Sequence, residues 1–207
     1  MYGPKMNKLK HFVNKAKINK LLPSNGKWLD VCCGEAWHFS VCKKGSEKVG
    51  IDISEHQIER AKKKNPTCKF ICDDVIDVKI ENDYFDLVTS FWGGYCYFPT
   101  FNLIEKFFTK IIDSTKTGGN VYVDIIPPPT YFNESEYSEI LNTTLTFDKS
   151  NKERWVYHDS GGDHYMLSPS IESISKIFEG KFKSYEFKNT DLLGQHAFEN
   201  FVAKSKI

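Results

Sequence analysis

The stretch from Trp28 to Ser54 constrains this chain more than any other. Trp28, Leu29 and Val31 make an apolar strand end. Gly34 stands where the chain must turn sharply into a helix. Val49-Gly50-Ile51-Asp52 is a second short apolar run, and it closes on a carboxylate. A buried strand, a tight turn, a helix and a second strand ending on an acid form the layout of a nucleotide-binding βαβ unit. The backbone comes close to a ligand at the turn, and the carboxylate meets ribose hydroxyls.

Length and charge narrow the frame around that unit. With 207 residues, 40% of them hydrophobic and 14% aromatic, the chain supports one domain, 1–207, with a sizeable core. A net charge of +1 gives no global field that would favour nucleic acid. The six cysteines contain no CxxC pair. Cys68 and Cys72 make poor joint zinc ligands, so no metal is expected, and adjacent Cys32 and Cys33 read as buried thiols in a reducing cytoplasm. The opening Met-Tyr-Gly-Pro-Lys leads into a basic stretch without the apolar centre of a signal peptide. No apolar run approaches the ~18 residues of a membrane span.

Taken in order, residues 7–22 predict a helix with Leu9, Phe12, Val13 and Ala16 inward and Lys8, Lys10, Lys15 and Lys17 outward. That basic face reads as solvated; its sharper reading is a contact for an anionic substrate. Ser54 and Gln57 form a capping box for a helix that Asn65-Pro66 ends. Cys68–Cys72 and Tyr84–Trp92 read as the third and fourth strands, and an aromatic loop, Gly93–Pro99, follows. Phe101–Ile112 predicts an amphipathic helix, Thr117-Gly118-Gly119 a turn, and Val121–Ile126 a fifth strand stopped by three prolines. Beyond it, Thr143–Phe147, Arg154–His158 and His164–Leu167 predict short antiparallel strands. Ser168 and Pro169 read as the start of a helix, and Phe182–Phe187 and Phe198–Ala203 as the last two strands.

The opening unit resembles class I S-adenosylmethionine-dependent methyltransferases. There the first strand carries an acid, a Gly-x-Gly turn follows, and the second strand ends on the acid that binds the ribose; Asp30, Gly34 and Asp52 stand at those positions. The family's first glycine is Cys32 here and its last is Ala36, a small change if φ is negative and a costly one if φ is positive. A dinucleotide dehydrogenase suffers more from these losses, because its pyrophosphate needs close backbone approach through all three glycines. The resemblance implies an α/β fold: a doubly wound, seven-stranded, mostly parallel sheet with an antiparallel last strand and a small substrate-side insert. The expected parts are a basic helix (1–24), a cofactor-binding half (25–126), the insert (127–168) and a C-terminal helix with two strands (169–207). It also implies S-adenosylmethionine as cofactor. Asp74 would accept a hydrogen bond from the adenine amino group and Val75 pack on the ring. Asp30, Cys32, Gly34, Asp52, Ile53, Ser90 and Phe91 complete the expected cofactor residues.

Methyl transfer from a sulfonium is displacement at an activated carbon, so the protein's main task is positioning in a dry pocket. A general base helps only where the nucleophile must lose a proton. His164 and His158, in the insert, lead the candidates over His38 and His196. Tyr95, Tyr97, Tyr131, Trp155 and Tyr165 are expected to line the acceptor pocket. The aromatic loops favour a small, aromatic or apolar acceptor. A looser resemblance, in the Phe91–Phe98 loop and in Lys44–Ser54, is to messenger RNA cap guanine-N7 methyltransferases. A third reading is a non-catalytic methyltransferase-like subunit, against which the retained Asp30, Asp52 and Asp74 count.

Overall fold

A computed structural model describes residues 4–126, 128, 144–159, 161–192 and 195–207. The elements run α1 (Pro4–Leu21), β1 (Lys27–Val31), α2 (Trp37–Val41), β2 (Glu47–Asp52), α3 (Glu55–Lys64), β3 (Lys69–Cys72), β4 (Phe85–Ser90), a 3₁₀ turn (Gly94–Tyr97), α4 (Phe101–Ser114) and β5 (Thr115–Ile125). After them come β6 (Thr144–Phe147), β7 (Arg154–Asp159), β8 (Gly162–Leu167), α5 (Ile171–Phe178), β9 (Phe182–Leu192) and β10 (Gln195–Lys206). The main sheet has seven strands in the order β3-β2-β1-β4-β5-β10-β9, with only β10 reversed against its neighbours. This is the expected doubly wound architecture. A second sheet, antiparallel β6-β7-β8, lies within the stretch expected as an insert.

The strands sort their side chains between two cores with the period of two that a pleated sheet imposes. Trp28, Leu87, Tyr122 and Val202 pack on one face with Ile18 of α1, Phe39 of α2 and Ala61 of α3. Their neighbours Leu29, Val88, Val121 and Phe201 pack on the other, with Phe107 and Phe108 of α4, Phe178 of α5 and Trp155 of the insert. Burial on both faces is why these strands read as near-continuous apolar runs.

Helix α1 departs from the expected register. Phe12 is 69% exposed, Ala16 is exposed, and Leu9 and Val13 are only half-buried. The buried stripe is instead Lys10, Asn14 and Ile18. The reason lies in the sheet below. Asp124 is buried at the end of β5, and Lys10 Nζ meets its Oδ2 at 2.7 Å; Tyr122 donates from its hydroxyl to Asn14 Oδ1 at 2.5 Å. A buried carboxylate without a partner costs several kcal/mol, more than an exposed phenylalanine on the far side. Lys10 therefore leaves the basic face predicted for it.

Other boundaries shift for local reasons. The predicted turn at Thr117–Gly119 lies inside the long β5, where the register against β4 jumps from Phe85↔Thr115 to Leu87↔Asn120. Asp83 Oδ1 accepts from the Thr117 amide at 2.6 Å and so holds that bulge. The cap of α5 is Ser170, not Ser168; Ser168 is buried and accepts from Trp155 Nε1 at 2.9 Å. The capping box of α3 is half made: Ser54 Oγ accepts from the Gln57 amide, but Gln57 Oε1 is buried without a partner.

Removing one member of the α1–β5 ion pair tests the docking of α1. Lys10→Met strands the Asp124 carboxylate and is expected to lower stability by about 3–5 kcal/mol in urea unfolding. Replacing both, Lys10→Met with Asp124→Leu, should recover a large part of that loss.

Candidate active site

The site grows from the turn between β1 and α2. Cys32, Gly34 and Ala36 take φ of 53°, 52° and 51°, so every second residue of the turn is left-handed. All three glycine positions of the resembling motif thus keep the backbone that glycine favours, and the substitutions do not abolish it. The φ at Ala36 is positive, which is the costly case, on the order of 1–2 kcal/mol for each non-glycine residue. Asp52 offsets the cost. Its Oδ2 accepts from the Gly34 amide at 2.8 Å and its Oδ1 from the Ser54 amide at 2.9 Å. Gly34 lines a cavity, and a Cβ placed on it would meet no atom within 4 Å. The backbone there is open for a ligand to approach.

The cavity measures about 1190 Å³ and runs along the carboxyl ends of β1 to β4. Asp52, Ile53, Asp73, Asp74, Val75 and Ile76 form part of its wall. The loop after β3 is fixed by its own acids: Asp73 Oδ1 accepts from the Asp74 amide at 2.8 Å and Asp74 Oδ1 from the Ile76 amide at 2.9 Å. Trp37, His38, Phe91 and Trp92 line it too, clustered with His11 of α1, and so does Tyr97. Gly94 packs the loop after β4 against the turn: a Cβ on it would lie 2.6 Å from Cys32 Cβ.

Electrostatics divide the same cavity. Asp30 is buried, and that burial pushes its carboxyl up to about 8; Thr89 donates to it at 2.6 Å, which pulls the other way. His38 is buried and held neutral, its pKa driven down to about 3 mainly by desolvation and further by His11 and Lys10. Burial also lowers His11, with Lys10 adding to it and Asp124 opposing.

Of the expected cofactor residues, Asp30, Cys32, Gly34, Asp52, Ile53, Asp74, Val75 and Phe91 all line the cavity. Ser90 does not: it is buried behind the wall, and its hydroxyl has no partner. On the acceptor side, Tyr97 and His164 reach the cavity. Tyr95 does not. It is fully buried, donating to the Ile126 carbonyl at 3.2 Å and accepting from its amide at 2.9 Å, so it fixes the end of β5 from the core. Trp155 is core as well, and Tyr165, 73% exposed, points away on the solvent face of β8. His158 is also off the cavity, paired at 2.7 Å with Asp163 and at 2.9 Å with Thr146. Strand alternation explains the split between His158 and His164, which lie on adjacent strands but are not cross-strand partners. Tyr131 and the side chain of His196 lie outside the described residues.

Sequence reasoning missed His11, Trp37 and Trp92. The His11 ring lies 4.1 Å from that of Trp37 and 5.2 Å from those of His38 and Trp92. Nothing local marks His11, because its neighbours come from α2 and from the loop after β4.

The sheet order and the cavity at its carboxyl edge are those of the class I, Rossmann-like methyltransferase fold. Residues 29–119, somewhat under half of the chain, match a family model described as a methyltransferase domain. That stretch resembles a methyltransferase domain, and S-adenosylmethionine is the cofactor such a domain implies. Among solved structures the chain is similar to S-adenosylmethionine-bound CalS10, an amino pentose methyltransferase from Micromonospora echinaspora: TM-score 0.69, 15% identity, 95% of this chain and 90% of that one covered. It is similar to an S-adenosylmethionine-dependent methyltransferase from Clostridium acetobutylicum, with TM-score 0.65, 17% identity and 94% and 89% covered. A third is the sugar N-methyltransferase KedS8 from a Streptoalloteichus species, with TM-score 0.64, 14% identity and 95% and 87% covered. At such identities these likenesses speak for the fold. No curated protein matches the sequence. Among the described residues, no group of His, Cys, Asp and Glu is placed to hold a metal ion. No helix there is long and apolar enough to cross a membrane.

The residues present fit the cofactor: an acid-ended β2, an open glycine, an apolar slot at Val75 and Ile76, and a buried Gln57 Oε1 lacking a donor on the cavity wall. Asp30 gives this fit a pH signature. A cation bound nearby lowers the pKa of a carboxyl that is about 8 in the free protein, so binding releases a proton. S-adenosylmethionine affinity is expected to rise with pH up to about 8 and then level. Calorimetry in buffers of different ionisation enthalpy measures the released proton, and Asp30→Asn should remove it.

Proposed function

We propose that this protein transfers a methyl group from S-adenosylmethionine to a small-molecule acceptor with an aromatic or apolar body. The observation that supports it best is the mixed lining of the cavity. Asp52, Asp74 and Val75 offer a wall for a nucleoside, and Trp37, Phe91, Trp92 and Tyr97 add uncharged aromatic surface. Its volume, about 1190 Å³, exceeds the ~300–1,000 Å³ of ordinary small-molecule sites, which leaves room for a second molecule beside the cofactor. When bound, S-adenosylmethionine supplies a methyl group already activated on a sulfonium. The protein's share is to hold ribose and adenine through Asp52, Asp74 and Val75, to keep water out with the aromatic wall, and to orient the acceptor. His164, held at 3.0 Å by Asp159 and stacked at 4.2 Å on Tyr157, serves that orientation from the insert. CalS10 and KedS8, by their descriptions, act on small molecules of the sugar type, which agrees with this reading.

The RNA reading loses support. Glu35, Asp52, Asp73, Asp74 and Asp77 line the cavity, with no lysine or arginine among the described lining residues. Such a field repels a phosphate chain. Of the basic face of α1, Lys10 is buried against Asp124 and Lys17 faces Glu186 at 3.6 Å. Calorimetry with S-adenosylmethionine and its demethylated product is the direct test. Binding near micromolar, about 8 kcal/mol, is expected for both. Asp52→Ala should weaken it at least a hundredfold. An absence of binding to either would favour a non-catalytic subunit.

A further inference from the structure

We infer that His11 is the general base of the reaction, that His38 is its positioning residue, and that the acceptor's nucleophile is a hydroxyl or amine that must lose a proton. This rests on the methyltransferase reading above. The sheet order reverses between β1 and β4, and ligands of such sheets sit in the crevice at that reversal. His11 lies at this crevice. The preceding residue, Lys10, is pinned to Asp124 at the end of β5, and the ring is set between Trp37, just after the turn that follows β1, and Trp92, just after β4. Trp92 is itself tied down, its amide donating to Asp124 Oδ2 at 3.0 Å.

His11 Nδ1 meets His38 Nε2 at 3.4 Å, and His11 Nε2 has no hydrogen-bond partner among the described residues. His38 is buried, with its ring 4.3 Å from that of Phe91, so it cannot swing away. With His38 neutral and accepting at Nε2, the proton of neutral His11 resides on Nδ1. The lone pair is then on Nε2, which has no partner among the described residues, in a ring that lines the cavity. The groups facing His11 are Lys10 on its own helix, His38 on α2 and Asp124 on β5; burial and Lys10 favour the neutral ring, and Asp124 opposes them.

In the reaction, the acceptor's lone pair forms the bond to the methyl carbon. The carbon–sulfur bond breaks with its electron pair left on sulfur, and the acceptor's proton passes to His11 Nε2. The imidazolium then donates from Nδ1 to His38 and returns the Nε2 proton to solvent. His164 is the rival base, but it sits on the insert, its Nε2 occupied by Asp159 and its ring 6.2 Å from that of Tyr97.

The test uses the full chain with ring-labelled histidine. In protein saturated with S-adenosylhomocysteine, phenol and benzylamine should perturb the His11 resonance, and its titration midpoint should lie below the ordinary 6.5. Methyl transfer to phenol should fall tenfold per pH unit below that midpoint; benzylamine, an ammonium throughout this range, serves the binding measurement only. His11→Gln should lose about a hundredfold or more in kcat and lose the acidic limb, with S-adenosylmethionine binding unchanged. Transfer to pyridine, whose nitrogen has no proton to lose, should be spared. His38→Gln, which keeps an acceptor, should retain more kcat than His38→Leu. A His11 resonance indifferent to both probes overturns the inference, as does an acidic limb that survives His11→Gln and vanishes in His164→Gln. Failure to bind S-adenosylmethionine at all would instead strike the methyltransferase reading beneath it.

Discussion

The carboxylate of Asp52 is the brace on which the cofactor end of this molecule depends. Between β1 and α2 the chain passes through left-handed backbone at Cys32, Gly34 and Ala36, and only one of the three is glycine. The strain of the other two amounts to about 2–4 kcal/mol together. Two charge-assisted hydrogen bonds, from the amides of Gly34 and Ser54, contribute about 1.5–3 kcal/mol each and are of the size needed to offset it. The same bonds join the end of β2 to the turn and to the first residue before α3. The carboxylate that suits a ribose is thus also what keeps the turn open to a ligand. Tightness of the turn is compounded by Gly94, whose missing side chain lets the loop after β4 rest on Cys32.

Two further buried acids show how the sheet's carboxyl end manages charge. Asp124 is matched by Lys10 and stays an ion pair, which fixes α1 across the sheet. Asp30 has no cationic partner among the described residues. It takes a hydrogen bond from Thr89, which in turn accepts from Trp28 Nε1 at 2.8 Å, and burial keeps its carboxyl protonated well into neutral pH. The sign follows from linkage. A raised carboxyl pKa contributes stability that is fully present below the unfolded value of 3.8 and is lost as pH rises through about 8. A cation in the cavity reverses that penalty, so the fold carries a latent preference for a cationic ligand where a sulfonium nucleoside fits.

The architecture was legible because its signals are local. Apolar runs of strand length, an acid at the end of β2, glycine at the turn and Ser54 at a helix start each act within a few residues, and the strand order followed from the resemblance they established. Legibility failed where a side chain's partner is remote in sequence. Phe12 and Ala16 fitted an inward stripe as well as Lys10 and Asn14 did; only the presence of Asp124 and Tyr122 beneath the helix selects the polar one. Tyr95 and Tyr97 are neighbours in one aromatic loop. Which of them enters the core was decided by the 3₁₀ turn, which sends Tyr95 to the backbone of Ile126 and Tyr97 to the cavity.

The insert joins the site through that same loop. Tyr97 and Tyr157 share a hydrogen bond of 2.6 Å between their hydroxyls, Tyr157 carries His164 on its ring, and Arg154 donates to the Pro99 carbonyl at 2.9 Å. Gly94, at the start of the loop, rests on Cys32. The insert and the turn after β1 are therefore joined by one short segment, Gly94–Pro99, rather than carried on independent elements. A near-attack geometry tolerates displacements of only a fraction of an ångström, and a shared segment is a physical means of holding two subsites to that tolerance. His164 is carried to the cavity by the insert, and the loop Gly94–Pro99 sets the distance of that insert from the turn after β1.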